Sequence, residues 1–172
     1  FWILLGPLVV VFLVGTIAMN MFYNKAFLYK LNPLRYYDVR RDFSFKVPKG
    51  WGITGEGEGG IVMENAQYAS SIILMVNQEV SQYALELCVN AFTKAMEDGG
   101  MVMRTRDEIT ISGRPAIKVG FMEEKTDTAY LLVYFKEEEK GPLFILQGTT
   151  PRANMRYVMA DSMDLITSFH FE

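Results

Sequence analysis

Cys88 and His170 are the side chains best suited to nucleophilic work, and the sequence has one cysteine and one histidine. A thiolate attacks when a base lies beside it, and the single imidazole lies far along the chain. Cys88 also falls on the apolar stripe of an expected helix, where a thiol packs as a small hydrophobe. His170 stands between Phe169 and Phe171, so a strand that buries the two rings turns the imidazole to solvent. One cysteine and one histidine also exclude a disulfide framework and a zinc site built from those ligands.

Oxygen ligands remain. Glu123, Glu124 and Asp127 share one turn and offer carboxylates to a hard cation, but their spacing matches no EF-hand loop and a solvated turn accounts for them. Glu137, Glu138 and Glu139 read as an exposed connection that discourages edge pairing, with an acidic tip open to a basic partner. Residues 55–60, GEGEGG, have the glycines of a phosphate cradle. They carry two acids, lack a nearby base and lead into a strand, so a flexible hairpin loop is expected. Eleven methionines, among them Met96, Met101, Met103, Met155, Met159 and Met163, either fill the core or offer an adaptable surface, and core is expected for most. No catalytic, cofactor-binding or metal-ligating residue follows, so the chain is expected to be non-enzymatic and to carry no cofactor.

The elements that position these residues follow from periodicity. Phe43, Phe45 and Val47 alternate with Ser44 and Lys46 as in a half-buried strand, and Pro48-Lys49-Gly50 turns the chain into Trp51. Strands are expected over 61–64 and 70–77. The second is apolar on both faces, Ile72, Leu74 and Val76 against Ile73 and Met75, and such a strand is covered on both sides. Ser81 is the expected N-cap of a helix running to Asp98, with Leu85, Cys88, Phe92 and Met96 on one stripe and Gly99-Gly100 as the stop. Four strands follow over 102–111, 115–123, 128–136 and 142–148, and their short connections predict an antiparallel meander. Thr150 as N-cap and Pro151 at the first helical position open a last helix with Met155, Val158, Met159 and Ile166 on one face. The order predicts an α+β fold, helices packed on a largely antiparallel sheet.

Residues 2–23, WILLGPLVVVFLVGTIAMNMFY, contain no charge. As a helix at ~1.5 Å per residue they span ~33 Å, enough for a hydrocarbon core of ~30 Å. Twelve of them are Leu, Ile, Val or Phe, each worth roughly −0.3 to −0.6 kcal/mol on insertion, which outweighs Pro7, Thr16 and Asn20. Trp2 at one end and Phe22, Tyr23 and Tyr29 at the other sit where interfacial aromatic belts form. A single-pass transmembrane helix with a basic collar is expected over 1–30, a linker over 31–41 and one domain over 42–172. Residues 1–41 carry five bases and one acid, whereas 42–172 carry twelve bases and nineteen acids, so a +4 collar precedes a −7 body. The acidic body argues against nucleic acid as a partner, because such affinity rests on clustered Lys and Arg. The collar puts the body on the cytoplasmic side by the positive-inside rule, within reach of anionic headgroups.

The opening FSFKVPKGW at 43–51, the helix ALELCVNAF with its Gly-Gly break, ISGRPAIKVGF at 111–121 and the ending ITSFHFE at 166–172 resemble the PsbP-like family. That family is named for an extrinsic subunit of the photosynthetic water-oxidising complex and includes bacterial lipoproteins such as DcrB. The resemblance covers nearly all of 42–172. It implies an α/β/α sandwich and a non-enzymatic role as an accessory or assembly subunit of a larger membrane complex. It also implies an extracytoplasmic body, against the charge rule. The expected partners are therefore the lipid bilayer and other subunits of a membrane assembly. The alternative is a membrane-tethered binding protein that holds a lipid or other apolar ligand between sheet and helix.

Overall fold

Strand pairing brings distant hairpins into one sheet. In a computed structural model that describes residues 35–38, 40–57 and 59–171, the order is β1 (Arg35–Asp38), β2 (Phe43–Lys46), β3 (Gly52–Gly57), β4 (Gly60–Asn65), β5 (Ser70–Asn77), α1 (Leu85–Asp98), β6 (Val102–Ile111), β7 (Arg114–Glu123), β8 (Thr128–Lys136), β9 (Leu143–Pro151), a 3-10 turn (Arg152–Asn154), α2 (Met155–Thr167) and β10 (His170–Phe171). Seven strands form an antiparallel sheet in the order β3-β4-β5-β9-β8-β7-β6, and β1-β2-β10 form a second, small one. The fold is α+β and rich in antiparallel sheet, and the expected meander is present as β6 to β9.

Register decides which side chains face which layer. Leu131, Val133 and Phe135 of β8 pair with Gly148, Leu146 and Phe144 of β9 and face α2 and the small sheet. Leu132 and Tyr134 alternate with them and face α1 together with Val119, Phe121 and Ile145. The layer under the small sheet is aromatic: Phe169 stacks on Phe43 at 5.1 Å and meets Phe135 edge-on at 5.0 Å. Trp51 adds its indole, whose Nε1 donates to Asp161 on α2 at 2.8 Å. α2 crosses β9 at Gly148, where a Cβ would stand 3.2 Å from Ser162 Oγ and 3.5 Å from Val158 Cγ1.

Several expectations give way to longer-range packing. Residues 35–38 of the expected linker form β1, because Tyr36 buries its ring against Phe45 at 5.1 Å and Asp38 accepts the backbone N–H groups of Arg40 and Arg41. The expected glycine loop at 55–60 is mostly strand. β3 runs to Gly57 and β4 starts at Gly60, where φ is +149° and a Cβ would come within 2.0 Å of the Leu74 carbonyl. The first helix starts at Leu85 behind an extended Ala84 and not at Ser81, whose carbonyl is instead held by Lys136. Thr150 and Pro151 belong to β9, not to a helix start, because Thr150 is buried and accepts a hydrogen bond from Ser70 Oγ at 2.8 Å; the chain needs a 3-10 turn before α2 begins at Met155. The expected membrane segment 2–23 and the rest of 1–34 lie outside the described residues. Among the described residues no helix is long and apolar enough to cross a membrane.

Phe169 is buried and His170 beside it is exposed, as the alternation requires. Phe169→Ala is expected to lower unfolding stability by ~3–5 kcal/mol. His170→Ala is expected to leave it within about 0.5 kcal/mol, both read from denaturant titrations.

Candidate binding groove

One helix cannot cover a seven-stranded sheet. Adjacent strands lie ~4.8 Å apart, so the sheet is ~29 Å wide, while a helix with its side chains is ~10 Å across. α1 packs mainly on β6, β7 and β8. Beside it, Val62 of β4, Ile73 and Met75 of β5 and Gln147 of β9 point to the same side and stay partly exposed. The result is a groove of about 630 Å³ between the flank of α1 and the sheet. Phe92, Ala95 and Met96 form its wall, and Met75, Leu132, Tyr134 and Ile145 its floor. Asn77, Gln78, Glu79 and Gln147 edge it.

The rim is organised by a buried cation. Residues 78–84 connect β5 to α1 without regular structure. Lys136, 6% exposed, projects from β8 into this segment and donates from Nζ to the carbonyls of Val80 (3.2 Å), Ser81 (2.9 Å), Tyr83 (2.8 Å) and Glu139 (3.4 Å). The lysine ties the carbonyls of this connection to β8, while the free N–H groups at the start of α1 have no side-chain cap at Ala84.

The floor holds a polar group left over. Tyr134 is fully buried, its ring lies 5.9 Å from that of Phe92, and its hydroxyl has no hydrogen-bond partner among the described residues. Burial pushes its ionisation above the usual tyrosine range. Thr93 Oγ1, on the underside of α1, is also buried without a partner among them. Two other tyrosines are raised first by burial and then by carboxylates that accept their O–H: Tyr36 on Glu56 at 2.7 Å and Tyr130 on Glu123 at 3.2 Å.

The residues singled out for chemistry are dispersed. Cys88 is buried under α1, with Sγ 4.0 Å from the Val80 carbonyl, while His170 lies exposed in the small sheet on the opposite side of the main sheet. Glu123 accepts from Thr126 Oγ1 at 2.8 Å, Glu124 pairs with Arg104, and Asp127 faces Arg152 at 3.7 Å, so the three carboxylates serve three different partners. Among the described residues no three of His, Cys, Asp or Glu are grouped to hold a metal ion. The run 137–139 contributes backbone: Arg114 donates to the Glu137 carbonyl and Lys136 to that of Glu139. Met75, Met96 and Met101 pack on the α1 side and Met159 and Met163 on the α2 side, whereas Met103 is exposed. Sequence reasoning missed the groove. Its traces were the second apolar face of β5 and a single helix preceding four strands.

No family model and no curated protein sequence matches the chain. Solved structures do match it in fold. The solution structure of cyanobacterial PsbP (CyanoP) from Synechocystis superposes with a TM-score of 0.57 at 14% identity, covering 80% of this chain and 91% of that one. The Ran-binding protein Mog1p of Saccharomyces cerevisiae reaches 0.60 at 9% identity over 80% and 94%. LpqN of Mycobacterium tuberculosis, described as involved in cell envelope biogenesis, reaches 0.52 at 14% identity over 74% and 81%. These neighbours share a PsbP-like fold with this chain.

Lys136→Met leaves the carbonyls of residues 80–83 without their donor and is expected to cost ~1.5–3 kcal/mol, with faster amide exchange confined first to residues 78–85. Tyr134→Phe removes a buried hydroxyl that has no described partner, so at neutral pH it is expected to be neutral or stabilising by up to ~1 kcal/mol. The sign reverses nowhere with pH. A tyrosine raised in the folded state lends stability below its unfolded value of ~10 that is lost as pH rises toward the folded value. Wild type is therefore expected to weaken above about pH 10, and Tyr134→Phe to weaken less steeply, in unfolding titrations at stepped pH.

Proposed function

We propose that this protein is a non-enzymatic accessory or assembly subunit of a larger membrane complex, tethered by residues 2–23 and working through contacts of its acidic α+β domain. The observation that carries the reading is the groove beside α1. It is an apolar, partly exposed stretch of sheet beside a helix that covers only part of its face. Surfaces of that kind are kept for contact. Glu123, Glu124 and Asp127 serve separate partners away from the groove, and Cys88 and His170 lie on opposite sides of the main sheet. A domain of this fold in yeast is a Ran-binding protein, a precedent for action by binding. Tethering raises the local concentration of the domain near membrane partners, so a modest interface suffices.

A second reading is favoured by the apolar floor between sheet and helix: a membrane-tethered carrier for a lipid or other apolar ligand. Isolation of the full chain from its own membranes in mild detergent separates the two. A subunit is expected to emerge with stoichiometric protein partners, and a carrier alone with an extractable small molecule. Recovery of the chain without either sinks both. Removal of residues 2–23 is expected to release the domain from the membrane fraction, and protease treatment of intact cells tells the side favoured by the charge rule from the side favoured by family precedent.

A further inference from the structure

We propose that the groove beside α1 is the seat of a helix from a partner, apolar on one face and carrying Lys or Arg along its flanks; this rests on the accessory-subunit reading and names what that subunit would hold. The uncovered strands β9, β5, β4 and β3 span ~14 Å from first to last, the room that one helix needs beside α1. The wall suits close approach. Ala95, exposed on α1, lines the groove, and Ala91, also exposed, precedes it by one turn. Opposite them the strand face is low: Gly52, Gly55 and Gly57 of β3 and Gly60 of β4 present no side chain to that side. Small residues on both margins let a helix sink between them.

The floor is apolar: Met75, Leu132, Tyr134 and Ile145 line it, with Tyr134 fully buried. Charge selects the occupant. Glu79 is the charged residue of the lining; Glu64 shares the face of Val62, and Asp98, three residues after Ala95, is turned about 60° from it around α1. Lys94 is turned about 100° from Ala95 around the helix axis. An acidic margin around an apolar floor favours a partner helix with basic flanks and disfavours an acidic one. A free acyl chain fits less well, because the groove is flanked by exposed residues along α1 whereas small-ligand sites bury most of the ligand.

The test is a photo-crosslinking residue in place of Ala95 in the full chain, activated in its own membranes, with the adduct digested and sequenced. The attached segment is expected to come from another protein, with apolar residues at i, i+3, i+4 and i+7 and an excess of Lys and Arg. Glu64→Lys, Glu79→Lys and Asp98→Lys together are expected to lower the adduct yield about fivefold or more without changing thermal melting. Attachment to lipid alone, to residues 1–34 of the same chain, or to an extended or acidic segment overturns the proposal, as does a yield indifferent to the three charge reversals. Stoichiometric partners in detergent with no adduct at position 95 would overturn the groove while leaving the accessory reading standing. Absence of both would remove the two together.

Discussion

β9 pairs with β5 along one edge and with β8 along the other, and this double pairing governs the rest of the molecule. It joins a local block, β3-β4-β5, to a local meander, β6 to β9, through residues more than sixty positions apart, such as Leu74 and Leu146. Because β9 lies next to β5, the chain leaving β5 must travel past the places of β9, β8 and β7 to start β6 at the far edge. α1 is that crossing, and it comes to rest over β6, β7 and β8. The chain leaving β9 returns by α2 on the other side and brings β10 back to β2. Two crossings on two faces give two helices, and the α1 side is left half roofed. The groove is a consequence of strand order, not a local feature of any loop.

The same distinction explains how much could be read from residues alone. Alternation marked β5 and the meander strands to within a residue or a few at each end, since the pattern that makes a strand bury one face is local. The helix stripe of Leu85, Cys88, Phe92 and Met96 was likewise visible, and so was the turn of His170 toward solvent. Failures gathered where a distant partner overrides a local rule. Ser81 and Thr150 carry good capping side chains, but Lys136 takes the segment around the first and Ser70 reaches the second inside a sheet. The glycines at 52–60 gave no strand pattern because they have no side chains to alternate, and they are strand only because β4 and β5 pin them. β1 was obscure for a similar reason: four residues gain their order from Phe45 and Ser44 across the hairpin. The candidate site was least visible of all, being defined by where a helix does not lie.

The long edge of the sheet is guarded by charge and by a register break. β6 is ten residues long and mostly exposed, the sort of edge that invites another strand. Its pairing with β7 is irregular between Met103 and Thr105, and its side chains are tied down: Arg106 to Glu86 and to Asn90 at 2.9 Å, Asp107 to Lys118 at 2.9 Å, Arg104 to Glu124. Exposed ion pairs of this kind add little stability, about 0–1 kcal/mol each, but a strand clothed in charge resists edge addition. β3, at the opposite edge, has a register break between Ile53 and Gly55. Both edges of the main sheet are therefore irregular.

Rigidity matters to any groove, since every side chain or loop ordered on association subtracts from affinity. The groove is built accordingly. Its floor belongs to the central strands β5, β9 and β8, each paired on both sides. Its rim, which a seven-residue irregular connection would leave mobile, is tied by Lys136 to β8 through carbonyls of Val80, Ser81 and Tyr83. An ammonium surrounded by backbone oxygens is an expensive device, because its burial must be compensated by hydrogen bonds. The gain is that loop, helix start and strand move as one body. Buried charge elsewhere in the domain is spent in the same way: Asp38, nearly inaccessible, holds the β1–β2 turn through two backbone N–H groups and Arg41. In both places a buried polar side chain is committed to holding backbone in position.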